Sequence, residues 1–527
     1  MDFLQLTSTS IAISTYLSSF PLYMLIAVAT IIVIGIRLLS CNPKNWKNSP
    51  PGPSGWPILG SLPQLLNKRL HEEFLDLSKI HGPLFSLKLG LKPAIVISSP
   101  EMVSKTLRQH EAVFSSRTVT EAIRVITYDT ASIVYAAMAS PRWRVIRKIL
   151  TEELFSRKAF EDFEPVRKQQ VHGGLLKHLY STSLSKNSVN IAEVAFVASG
   201  NIVSNTVCSK SLFDSTKKQG RELKHTFWEL MQILGSVNVT DLLPIFKPFD
   251  PQGLKRRILK IFWRMDAFYE NIIKERLEER ETGNNIGKHK LDLLDVLLDY
   301  RSDKEDELKR LSRNNIKAML AEMFIAGTET TSSTVEWGMT EILRNPNVYK
   351  KVLMELDQVV GNDRFVEERD ISNLPYLQAA VKEVFRLHPA VPLIVPRRTN
   401  EACEVSGYHI PKDCIVFVNV WGMARDHTIW EEPCEFKPER FIGSSVDVKG
   451  QDFNLMPFGT GKRICVGMPL GQRMVHFYLA ALLHAFEWEC SLEILDSLEE
   501  KVGLTIEKGK SLVGIPKPRL SPSVYLQ

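Results

Sequence analysis

Apolar positions fall into distinct runs along this chain. Between Asp2 and Arg37 lie 34 residues without a charge, with Leu17 to Ile36 the most apolar. About 20 residues at a 1.5 Å rise cross a hydrocarbon core of about 30 Å, so this run predicts one spanning helix. Pro50-Pro-Gly-Pro53 and Gly55-Trp-Pro57 follow; successive prolines fix φ and predict a stiff, extended spacer. Helical spacing covers Leu70 to His81, and Ala94-Ile-Val-Ile-Ser98 reads as a strand. Phe160 to Asp306 is mainly helical, with Lys255-Arg-Arg257 and Glu275 to Glu281 as exposed faces. A long helical pattern spans Asn314 to Asn345, and a last one runs from Leu470 to Phe486, almost free of breakers. The sum is a mainly α fold with a smaller β portion, divided into a tail (1–16), an anchor (17–36), a proline-rich linker (37–63) and a globular part (64–527).

Composition narrows the class. With 527 residues, 44% hydrophobic and 24% charged, the chain can bury a sizeable core. Length alone predicts about three domains, but the motifs below run from Trp143 to Cys465 and make sense only if they converge on one site. A net charge of +6, spread rather than striped, gives no footprint for nucleic acid. Seven cysteines at irregular spacing argue against a disulfide framework and for a reducing compartment. A cleaved signal peptide is the rival reading of the leader; the missing basic n-region and the length of the run favour the anchor. Arg37, Lys44 and Lys47 follow the span, so the positive-inside rule puts residues 1–16 in the lumen and everything after 37 in the cytosol.

The chemistry concentrates in Phe458-Gly-Thr-Gly-Lys-Arg-Ile-Cys465-Val-Gly467. Gly461 and Gly467 give backbone freedom on each side of one cysteine. Lys462 and Arg463 supply positive charge within three residues, and the helix that follows offers its N-terminus; both lower a thiol pKa. Cysteine statistics alone favour a buried thiol in a glycine-rich turn. The pattern Phe-x-x-Gly-x-Arg-x-Cys-x-Gly reverses that, since chance yields it in roughly one chain in ten thousand of this length. It resembles the haem-binding loop of the cytochromes P-450, the haem-thiolate monooxygenases. That resemblance implies Cys465 as the axial iron ligand, Arg463 as a haem-propionate partner and Phe458 as a shield for the sulfur, with Gly467 closing the loop.

Other stretches match the same family between residues 50 and 519. Trp143 and Arg147 share one helix face at i and i+4; alone they read as an amphipathic helix, while the resemblance sets them over a propionate. Arg142, Arg144 and Lys148 read equally as a solvated face or as a cationic docking patch for an acidic redox partner. Glycine and hydroxyl residues crowd Ala326-Gly-Thr-Glu-Thr-Thr331 and Ser332-Ser-Thr334, poor helix chemistry that predicts a local opening in the long helix. By the resemblance Glu329 and Thr330 are the acid and alcohol of a proton relay, with Ala326 and Gly327 lining the groove. Glu383, Arg386 and Arg440 would form a buried structural network, and Arg397 would reach a propionate. Asp426-His427 departs from the usual Asp-Pro. Candidate pocket segments are mainly apolar with some polar contacts; Asp129 could pair with a cationic amine, and the plainer reading of it is an exposed loop acid.

The resemblance implies haem b, dioxygen, and electrons from NADPH through a membrane-bound reductase, because the chain has no Gly-x-Gly-x-x-Gly of its own. The overall look is closest to plant endoplasmic-reticulum members, with a small hydrophobic metabolite, an alkaloid first, as substrate. Oxidative phenol coupling or rearrangement, terpenoid hydroxylation, and a haem-binding sensor or scaffold are the alternatives.

Overall fold

The most continuous helical pattern in the sequence becomes the longest helix among the described residues, Arg313–Arg344. Ser312 caps it: its Oγ accepts the Asn315 N–H at 3.2 Å while Asn315 Oδ1 accepts the Ser312 N–H at 3.1 Å, satisfying donors that a helix start otherwise leaves open. In this computed structural model the described residues are 48–526, apart from 67, 215–217, 283–291 and 306, together with positions 24, 26, 27 and 30. Of the predicted span, Met24, Ile26, Ala27 and Thr30 are helical and exposed; the rest of 17–36 lies outside the described residues.

Seven helices frame the site: α1 (Pro141–Ile149), α2 (Ile191–Cys208), α3 (Lys218–Gly235), α4 (Leu254–Glu281), α5 (Arg313–Arg344), α6 (Pro375–Leu387) and α7 (Met468–Ala485). Among the described residues α2 alone is long and apolar enough to cross a membrane, but it is mostly buried and packs along α5. A helix apolar on all sides belongs either in lipid or in a core, and α2 is core. One large cluster joins the C-terminal half of α5 to α6 and α7, and a second joins its N-terminal half to α2, α3 and α4.

Among the described residues the β portion falls into four separate sheets. The strands are β1 (Leu84–Leu89), β2 (Lys92–Ile97), β3 (Ser116–Arg117), β4 (Val189–Asn190), β5 (Arg397–Arg398), β6 (Cys403–Val405), β7 (Tyr408–Ile410), β8 (Ile415–Val418), β9 (Phe486–Cys490), β10 (Glu500–Val502), β11 (Ile506–Lys508) and β12 (Val513–Pro518). The largest sheet has the order β1-β2-β8-β5-β3. β2 pairs antiparallel with β1 (Leu84↔Ile97) and parallel with β8 (Ala94↔Ile415). Its run Ala94-Ile-Val-Ile97 is fully buried, the signature of a strand covered on both faces. This sheet brings Arg117 of β3 opposite Arg397 of β5, which no local pattern foretells.

Candidate active site

The cysteine loop is built as a tight approach to α7. Gly459 and Gly461 take φ of 75° and 68°, the left-handed region that glycine enters freely. A single turn of 3-10 helix, Gly461–Arg463, leads on, and the Cys465 N–H donates back to Phe458 O at 3.0 Å. The thiol accepts from the N–H groups of Gly467 and Met468 at the start of α7. Burial pushes its pKa up, and those two N–H groups with the Arg147 guanidinium pull it back. Cys465 is enclosed within the fold and yet its surface is exposed, so it borders an internal space. Ala326 is likewise accessible, half-way along the deeply buried α5.

The predicted source of positive charge needs correcting. Lys462 is turned outward, its Nζ 3.8 Å from Glu111. Arg463 sends its guanidinium to four backbone carbonyls, those of Ser115 (2.9 Å), Ile133 (3.2 Å), Val134 (3.2 Å) and Ala136 (2.6 Å). The cation that acts on the sulfur comes from α1: Arg147, which also donates to Ile464 O at 2.9 Å. Successive residues of the 3-10 turn point apart, whereas α1 lies across the loop. Trp143 Nε1 donates to Ile133 O at 3.1 Å, and the Arg463 guanidinium stacks 5.5 Å over its ring.

Arg117, Arg397 and Arg463 form a buried guanidinium group. Burial first and mutual repulsion second push Arg397 and Arg463 down to about 9; burial brings Arg117 to about 10, with Tyr135 opposing. Arg397 Nη2 reaches Thr460 O at 2.9 Å, but Nε of both Arg397 and Arg117 is buried without a partner. Buried charge of one sign calls for an anion.

The predicted opening in α5 is absent: the helix is continuous from Arg313 to Arg344. Thr330 and Thr331 donate to the carbonyls four residues back, Ala326 (2.7 Å) and Gly327 (3.2 Å), and Thr334 does the same to Thr330 (2.7 Å). These hydroxyls add a second bond to carbonyls already in the ladder, so none of the ladder has to open. Gly327 has a packing reason instead, since a Cβ there would come within 2.9 Å of Val203 on α2. Glu329 is buried with its carboxyl against Glu507 of β11, while the Thr330 hydroxyl turns to Ala326.

The structural network is assembled. Glu383 Oε2 and Oε1 take Arg386 Nε (2.6 Å) and Nη2 (2.8 Å), and Oε1 also accepts Arg440 Nε at 2.9 Å. From the same helix, α6, Phe385 packs edge-on against Phe458 at 5.2 Å, which ties the network to the cysteine loop. Asp129 is exposed and one of its oxygens pairs with Arg124 at 2.8 Å, so it sits on the surface as a solvated loop acid.

Residues 50–513 match the cytochrome P-450 family. The chain belongs to that family. A flavonoid 3'-monooxygenase of Crocosmia x crocosmiiflora is 41% identical over 490 residues, 90% of this chain and 94% of that one. Geraniol 8-hydroxylase of Catharanthus roseus is 40% identical, covering 89% of this chain and 94% of that one. Among solved structures, a zebra fish cytochrome P-450 determined with progesterone superposes with a TM-score of 0.72 at 25% identity, covering 86% of this chain and all 100% of that one. This cytochrome P-450 is therefore a haem-dependent monooxygenase that takes its electrons from a reductase. The residues present fit the cofactor: a reachable sulfur with two N–H donors, and a guanidinium group with two orphaned nitrogens awaiting an anion.

Sequence reasoning missed three contributors. Glu322 of α5 accepts the N–H groups of Ile133 and Val134 at 2.8 and 3.1 Å and holds the loop on which Arg463 rests; its spacing, four residues before Ala326 on one face, was the available signal. Arg117 and Glu507 carry none, because sheet register and hairpin docking place them.

Proposed function

We propose that this cytochrome P-450 hydroxylates a small hydrophobic plant metabolite of the phenolic or terpenoid class, with Cys465 as the axial ligand of the haem iron. The observation that carries the assignment is the Cys465 sulfur, open to an internal space and held by the Gly467 and Met468 N–H groups at the start of α7. Haem, when bound, supplies the iron that activates dioxygen, and thiolate ligation favours O–O cleavage. Around it, the orphaned nitrogens of Arg117 and Arg397 would take propionates, joined by Arg147, Trp143 and Arg463 as the latter exchange backbone carbonyls for the cofactor. Thr330 and Glu329 would hold and pass protons, with Ala326 and Gly327 lining the groove beside them.

The substrate class follows the relatives, whose names carry a flavonoid and geraniol. An alkaloid reading gains no support from Asp129, which is exposed and paired with Arg124 at the surface. For placement, we read residues 17–36 as a single anchor in the endoplasmic reticulum with the catalytic part cytosolic. The apolar loop Pro244–Phe249 supports contact with a bilayer: Ile245 and Phe249 are 59% and 73% exposed. Exposed Arg144 and Lys148 on α1 suit an acidic reductase surface.

Cys465→Ala should abolish the carbon monoxide difference band of the reduced protein while leaving a folded chain; a surviving band means another ligand. Turnover of flavonoid and monoterpenol panels under labelled dioxygen then reads the reaction. Label in the product supports hydroxylation, and its absence supports coupling or rearrangement.

A further inference from the structure

Glu329 sits where an acid is costly. It lies mid-way along α5, 9% exposed, and its carboxyl is within hydrogen-bonding reach of Glu507 on β11. The other charged groups facing it are Glu336, two turns along α5, and Lys224 of α3, itself paired with Glu193 at 3.2 Å. Lys508 faces Glu336 from the hairpin. Burial first, and the neighbouring Glu507 second, hold Glu329 well above the usual carboxylate range. Two carboxyls this close cannot both ionise, so the pair keeps a proton.

The contact is anchored from several sides. Ser333, one turn beyond Glu329, donates to Ile506 O at 2.7 Å. Ile506 N–H donates to Ala390 O at 2.9 Å and Leu504 N–H to Met231 O at 3.2 Å, so the β10–β11 hairpin is fastened to α5, α3 and the segment after α6 immediately before Glu507. Glu507 is the outer member of the pair: its side chain is 21% exposed and stands 3.7 Å from Lys501 Nζ, its register partner on β10, which is 38% exposed. On the inner side Glu329 precedes Thr330, whose hydroxyl turns to accessible Ala326.

We propose that Glu507 is the positioning residue that keeps Glu329 protonated and refills it, so that the two carboxyls carry one shared proton from solvent at the β10–β11 hairpin toward the Thr330 end of α5. This rests on the reading that Glu329 and Thr330 supply protons. In each cycle the Glu329 O–H bond breaks as its proton passes to a water on the Thr330 side. The Glu507 carboxylate, at the solvent end, then takes a proton from solvent and passes it to the Glu329 carboxylate, which restores the single shared proton. No electron moves in these steps.

The test uses full-length holoprotein and its Glu329→Gln, Glu507→Gln, Glu507→Asp and Glu507→Asn variants. Infrared titration in light and heavy water should show a protonated-carboxyl band that Glu329→Gln removes. Glu507→Gln should keep the band but lower its midpoint by about one pH unit or more. It should also cut product formed per NADPH consumed on the order of tenfold, with a larger solvent isotope effect. Glu507→Asp should retain most of both properties and Glu507→Asn should lose them; a purely structural role would move the two alike, and this pair also serves if Glu507→Gln does not fold. An unchanged midpoint and unchanged coupling in Glu507→Gln or Glu507→Asn overturn the proposal. The infrared comparison reads the carboxyl pair whichever residue ligates iron, so loss of the Cys465 assignment would show separately, in the carbon monoxide band.

Discussion

Taking away the Glu383 carboxylate tests what braces the cysteine loop. Glu383 and Arg386 are both fully buried in side chain. The carboxylate holds Arg386 through two bonds and accepts Arg440 Nε and the Lys437 N–H, each at 2.9 Å. Arg386 spends its remaining donors on the carbonyls of Ala424, Pro433 and Glu435, and lies 5.3 Å over Trp430. In Glu383→Ala the guanidinium stays buried among carbonyl dipoles with no counter-charge. Breaking such a pair costs about 3–5 kcal/mol, a large share of the roughly 5–15 kcal/mol that holds a domain. Because Phe385 of the same helix packs on Phe458, haem occupancy should fall before the rest of the chain unfolds. Urea unfolding followed by tryptophan fluorescence, with haem content measured on the same samples, gives both numbers. The double variant Glu383→Gln/Arg386→Met should recover much of the loss, since replacing both partners removes the stranded charge. Should Glu383→Ala unfold within about 1 kcal/mol of the parent, the network would be ornamental and this account of the brace wrong.

Glu336 is 2% exposed and accepts the Leu512 N–H at 2.7 Å, yet burial raises it from 4.5 to about 7. An acid raised on folding contributes stability that is complete below its unfolded value and lost as pH climbs through about 7, a change on the order of 3 kcal/mol. Denaturant midpoints measured between about pH 4.5 and 7 should therefore decline, and Glu336→Gln should flatten that decline; equal slopes in the two proteins refute it. Deleting residues 1–36 should release the protein from integral membrane attachment while leaving weak vesicle binding through Ile245 and Phe249, 59% and 73% exposed. Flotation should then show Phe249→Ser losing that residual binding, and no change would remove the loop from the membrane contact.

What the residues disclosed unaided was what is written locally. Helical spacing placed Leu70–His81 and the long helix to within a residue. The glycine-bracketed Cys465 motif announced its site because all of its parts lie within ten positions. The identity of the sulfur's cation, by contrast, is not legible locally: adjacency points to Lys462 and Arg463, and it does not say which way a turn aims its side chains. The hydroxyls of α5 look like helix breakers on propensity, and packing against α2 and α7 overrides them, leaving Thr330, Thr331 and Thr334 to bond their own helix and Ser333 to bond Ile506 O.

Only the tertiary structure decided the groupings that span the chain. Arg117 meets Arg397 because β3 and β5 share a register, Glu322 reaches the loop at Ile133 because that loop folds across α5, and Glu507 finds Glu329 because a hairpin is fastened to the middle of a helix. Periodicity and capping act over a few residues and can be read in order. A contact between distant segments depends on how faces pack and registers lock, and that is settled by the shape of the whole core.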